Sequence, residues 1–95
     1  ELKLLNILPW KTTGWKQHPE TDQIIRIECG TVLLILGSKK CHPSSQKTLH
    51  NGDAVFVPAG TWYYLKNISK CPLKLSLVQI SSNNFKNYFY VFWIS

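Results

Sequence analysis

The run from Asn51 to Asn67, NGDAVFVPAGTWYYLKN, leaves the backbone little choice. Gly52 and Asp53 form a turn pair, Ala54-Val55-Phe56-Val57 is apolar and β-prone, and Pro58-Ala59-Gly60 ends the run sharply. Pro fixes its own φ and removes a donor, while Gly60 can take angles that other residues avoid. Thr61-Trp62-Tyr63-Tyr64-Leu65 follows at once, aromatic and β-branched, so a second strand leaves directly from the turn. A strand, a hard turn and another strand at the centre of a short chain point to an all-β domain.

The flanking sequence agrees. Gln23 to Cys29 reads as a strand with Ile25 and Ile27 on one face and Ile24, Arg26 and Glu28 on the other, and Gly30 turns the chain. From Pro72 a clean alternation places Leu73, Leu75, Leu77 and Gln79 on one face, as in a half-buried antiparallel strand. Thr31 to Leu36 is apolar on both faces, which predicts a strand covered on its outer side by another copy of the chain. Gly37 to Lys47 reads as a long polar loop. Residues 1–13 fit neither period and predict an N-terminal arm, loosely helical or an edge strand, ended by Pro9. Residues 14–80 form the core. Residues 81–95 form an aromatic tail, with Tyr88 to Trp93 expected on a last strand or on a partner subunit. No stretch is long and amphipathic enough for a helix, so six to eight short strands in one small barrel or sandwich are expected.

Composition narrows the function classes. No apolar run approaches the ~20 residues needed to cross a bilayer, and no signal peptide opens the chain, so no membrane partner and a cytoplasmic location are expected. The chain starts at Glu1 and has no Met, as a processed or truncated product does. The net charge is +6, but the basic residues stand singly apart from Lys39-Lys40, which predicts a basic surface and no nucleic-acid partner. Cys29, Cys41 and Cys71 lack CxxC spacing, so they read as free thiols of a reducing compartment, not as a zinc site. Cys41 beside His42 is too small a donor set to hold a metal by itself. Asn67-Ile68-Ser69 fits a glycosylation sequon.

Two spaced patterns carry a resemblance. Gly52, Pro58, Gly60, Tyr63 and Asn67 reproduce the spacing of G(X)5PXG(X)2H(X)3N, with Tyr63 in the place of His. WKQHPETDQIIRIECG resembles G(X)5HXH(X)3,4E(X)6G less fully, with Lys16 and His18 at the HXH pair, Gln23 at the carboxylate and Gly30 at the closing Gly. The chain therefore resembles the cupin superfamily, in particular its small single-domain members. That resemblance implies a jelly-roll barrel, or double-stranded β-helix, that commonly dimerises and gathers the motif ligands round one metal.

The substitutions turn the functional expectation. Lys16, His18, Gln23 and Tyr63 stand where four metal ligands would be, and only His18 is a good donor: an amide is weak, an ammonium repels a cation, and a phenol must first lose its proton. The expected protein is a homodimeric cupin with a degenerate metal site, no cofactor and no catalytic residue, whose pocket of Lys16, His18, Gln23 and Tyr63 binds a small polar or anionic ligand. The second reading is a metal-dependent isomerase or dioxygenase in which His18, Gln23 and Tyr63 hold Zn, Fe or Mn. A third is a non-catalytic dimeric interaction module. Trp15, Trp62 and Tyr64 are expected to face outward; His42 and His50 face solvent.

Overall fold

The computed structural model describes residues 2–81 and 93–94. Among these the chain is all-β, with strands β1 (Leu2–Ile7), β2 (Thr12–Lys16), β3 (Thr21–Cys29), β4 (Val32–Gly37), β5 (Ser45–Leu49), β6 (Ala54–Val57), β7 (Trp62–Asn67), β8 (Leu73–Ser81) and β9 (Trp93–Ile94). They form two antiparallel sheets, ordered β1-β8-β3-β6-β9 and β2-β7-β4-β5. Each sheet turns its alternate residues toward the other, giving a jelly roll. Ile25, Ile27, Leu73 and Leu75 from the first sheet meet Val32, Leu34 and Leu65 from the second, and all are at most 1% exposed.

The central run folds as its residues dictate. β6 ends at Val57, Thr61 N–H donates to the Pro58 carbonyl, and Gly60 adopts φ +86, a left-handed conformation that a side chain would strain. Three contacts from the preceding strand region pin this turn. Gly60 N–H donates to the His18 carbonyl at 3.0 Å, Gln17 Nε2 donates to the Gly60 carbonyl at 2.9 Å, and Ala59 N–H donates to Asp22 Oδ1 at 2.8 Å.

Several expectations change. The polar stretch Gly37 to Lys47 is not one loop: Gly37 ends β4, Ser45 to Lys47 belong to β5, and a tight turn bridged between Lys39 and His42 joins them. β5 is an edge strand whose Ser45 to Thr48 are all exposed, so backbone pairing with β4 forms it without hydrophobic alternation. Of the two alternatives for the N-terminal segment the edge strand is the one formed, pairing with β8 from Leu2↔Val78 to Ile7↔Leu73. Its blurred period has a simple cause: Leu5 and Ile7 point inward while Leu2 and Leu4 point outward, 63% and 76% exposed. The outer face of β4 is partly covered within the chain, because Ile35 pairs with Tyr64 and Tyr64 with Trp15, whose rings lie 5.5 Å apart. Of the aromatic tail, Trp93–Ile94 pairs with β6; residues 82–92 lie outside the described residues.

The sequon is closed off in the folded chain. Asn67 is 0% exposed, and its Nδ2 donates to the Ile7 carbonyl at 2.9 Å and the Cys71 carbonyl at 2.8 Å. Asn67 is thus a buried tether as well as a turn residue. Cys29, Cys41 and Cys71 are exposed and unpaired. Among the described residues no helix is long and apolar enough to cross a membrane.

Candidate functional site

Register brings three of the four sequence-predicted residues together. Lys16 is the last residue of β2 and pairs with Tyr63 of β7, so both side chains leave the same face of their sheet. A β-bulge between Thr12 and Trp15 sets that register, with Gly14 at φ +70 taking the extra turn. Thr13 Oγ1 fastens the bulge by accepting from Leu65 N–H at 3.1 Å and donating to the Gly14 carbonyl at 2.8 Å. Past β2, the Gly60 N–H bond to the His18 carbonyl ties the His18 backbone to the turn that precedes β7. His18 Nε2 and Tyr63 Oη are 3.0 Å apart, and the rings stack with centroids 5.8 Å apart.

Gln23 takes a different place. It is 1% exposed on β3, and its Nε2 donates to Thr21 Oγ1, two residues earlier on the same strand face. It is not among the residues lining the cavity that Lys16, His18 and Tyr63 share, and its Oε1 is buried without a partner.

That cavity, of about 490 Å³, lies between β1 and β2, the edge strands on one side of the two sheets. Sequence reading missed its β1 wall. Lys3, Leu5 and Ile7 face inward, and Lys3 stands opposite Leu77, which also lines the cavity. Alternation of Lys3, Leu5 and Ile7 was the available signal, obscured by Leu2 and Leu4 on the other face. Lys11 and Leu8 line the end at the β1–β2 turn. Among the described residues no carboxylate lines the cavity.

The electrostatics follow from this cast. Partial burial lowers the pKa of His18 below its ordinary 6.5, and the charges of Lys3 and then Lys16 lower it further. The imidazole is therefore neutral at neutral pH. Burial raises Tyr63 above the usual tyrosine value, so it stays a phenol. In this pair either the phenol donates to the Nε2 lone pair or an Nε2–H donates to the phenol oxygen.

Nε2 of His18 faces a phenol held protonated, two ammonium groups press on the imidazole, and Gln23 is turned to Thr21. Among the described residues no three His, Cys, Asp or Glu side chains are grouped as a metal would need.

Comparison with known proteins agrees with this architecture. The family model described as "Cupin domain" matches residues 3–80. The chain belongs to the cupin family. It is 32% identical over 84 residues to the uncharacterized protein YrkC of Bacillus subtilis, a match covering 88% of this chain and 45% of YrkC, so the chain spans less than half of that relative's length. The crystal structure of BH2720 from Bacillus halodurans superposes with a TM-score of 0.81 at 30% identity, over 84% of this chain and 61% of that one. Drosophila melanogaster CENP-C, solved bound to CAL1, has a TM-score of 0.75 at 16% identity, over 82% and 60% of the two chains. At that identity the likeness concerns the fold alone.

Proposed function

We propose that this cupin domain binds a small anionic ligand in the cavity between β1 and β2, where a fuller ligand set would hold a metal. One observation carries the reading: Lys3 and Lys16, from opposite sheets, line one cavity with His18 and Tyr63, and no carboxylate lines it among the described residues. An anion there gains from two ammonium groups and from the Tyr63 hydroxyl, whereas a divalent cation meets repulsion from both lysines. The three exposed, unpaired cysteines fit a reducing, cytoplasmic setting.

Calorimetric titration at low salt with acetate, with inorganic phosphate and with zinc tests the reading. The anions are expected to bind and to lose about ten-fold or more in affinity in Lys3→Gln/Lys16→Gln, the scale of a lost charge-assisted hydrogen bond. Stoichiometric zinc uptake by wild type, with no heat from either anion, would overturn it.

A second reading, a homodimer formed through β1, is favoured by a separate observation. Leu2, Leu4, Leu8 and Trp10 are 58–76% exposed, and among the described residues β1 is the edge strand of its sheet. Light scattering at micromolar concentration is expected to give twice the chain mass, and Leu4→Lys to halve it. A monomeric wild type removes this reading.

A further inference from the structure

We infer that the ligand of this cavity is an extended organic polyanion, with two acid groups set apart along its length, an inference that rests on the anion-binding reading above. Lysines stand at both ends of the cavity. At one end Lys16 pairs with Tyr63, whose Oη lies 3.0 Å from His18 Nε2. At the other, Asn67 gathers the β1–β2 turn: its backbone N–H donates to the Lys11 carbonyl at 3.0 Å and its Nδ2 to the Ile7 carbonyl at 2.9 Å. From Asn67 back to Tyr63 is four residues of β7, and from Ile7 back to Lys3 is four residues of β1, each about 13 Å at the usual strand rise. Lys3 and Lys16 therefore share one end of the cavity and Lys11 marks the other.

The balance of charge separates ligand classes. Lys3, Lys11 and Lys16 all line the cavity; among the described residues no carboxylate lines it, and none of these lysines is ion-paired. A compact anion such as acetate or inorganic phosphate serves the end with Lys3 and Lys16 and leaves Lys11 without a counter-charge. A second acid group several bonds from the first meets the other end, and the flexible four-carbon lysine stems let each ammonium lean toward its anion. The walls between are mixed, with Leu5 and Leu77 beside Asn6 and Thr12, so the charges at the ends set the ligand class and the body between them does not. A volume of about 490 Å³ falls in the range of small-ligand sites.

The test is calorimetric titration at low salt with octanoate, octanedioate and malonate, on wild type, Lys11→Gln and Lys40→Gln. Octanedioate is octanoate with a second carboxylate at the far end, and malonate holds its two carboxylates too close together to reach both ends. Lys11 and Lys40 are exposed, so folding is not at stake, and Lys40 lies outside the cavity lining and controls for net charge. Wild type is expected to bind octanedioate about ten-fold or more tighter than octanoate, the scale of one charge-assisted hydrogen bond. Lys11→Gln should erase that advantage and leave octanoate and malonate unchanged, and Lys40→Gln should change none of the three. Octanedioate binding no tighter than octanoate would overturn the inference and leave the anion pocket standing. Malonate weakened by Lys11→Gln as much as octanedioate would overturn the separation of the two acid groups, and an equal loss in Lys40→Gln would overturn the role of Lys11. No binding by any of the acids would remove the anion pocket itself.

Discussion

Asn67→Ala should cost this domain a large share of its stability, and the cost can be worked from four hydrogen bonds. Asn67 is fully buried; its Nδ2 donates to the carbonyls of Ile7 and Cys71, and its Oδ1 accepts from Ser69 N–H and Oγ at 3.0 Å each. Alanine orphans the Ile7 carbonyl, at about 1–3 kcal/mol for a buried unsatisfied group, while the Cys71 carbonyl keeps Ser69 Oγ at 3.1 Å; with about 1 kcal/mol for the bonds from Ser69 the loss is about 2–4 kcal/mol. A chain of this length has about 5–14 kcal/mol in total. For a domain of this size the melting temperature should fall by roughly 8 °C or more. Asn67→Asp should do no better, because a carboxylate presents no donor to the two carbonyls. The loss should also be felt locally, since Ile7 ends the strand that carries Lys3 and Leu5. Urea denaturation followed by tryptophan fluorescence gives the global number, and amide exchange across Leu4 to Ile7 the local one. A loss under about 1 kcal/mol, with β1 exchange unchanged, would refute the view that this tether holds the cavity wall.

Two further outcomes follow from the buried and titrating groups. Since the folded chain disfavours protonated His18, stability from this group is complete above 6.5 and is lost as pH falls through the lowered folded value. Wild type should therefore lose melting temperature on acidification through that window more steeply than His18→Asn; the opposite slope contradicts the assignment. Asp22 is 0% exposed and caps Ala59 N–H through Oδ1, while Oδ2 is buried without a partner. Asp22→Ala should cost about 1–3 kcal/mol, and Asp22→Asn, which keeps the acceptor, less than half of that by urea denaturation; equal costs would show that the cap is not what matters.

How far the sequence could be read depended on whether a side chain or only backbone pairing specified each element. Pro58 and Gly60 restrict dihedrals directly, so the central turn was legible, and the alternation of Leu73, Leu75 and Leu77 announced β8 because one face of it is buried. Strand β5 was illegible because Ser45 to Thr48 bury nothing and are held by main-chain bonds to β4. Motif spacing found Lys16, His18 and Tyr63, whose meeting depends on one local register. Lys3 escaped because its alternation with Leu5 and Ile7 was masked by Leu2 and Leu4, and because its neighbourhood is created by β1 pairing with β8. Gln23 occupied the right motif position, yet an adjacent hydroxyl on Thr21 took its amide, a choice made by side-chain rotation and not by chain order.

The most direct measurement is nuclear magnetic resonance of the His18 imidazole, followed while hexanoate or zinc is added at neutral pH. Hexanoate is predicted to shift its ring signals and to raise its titration point, because a carboxylate between Lys3 and Lys16 cancels the charge that lowers it. Zinc at one equivalent is predicted to leave those signals in place. A ring that answers to zinc and ignores hexanoate would return His18 to the role of metal ligand and contradict the account.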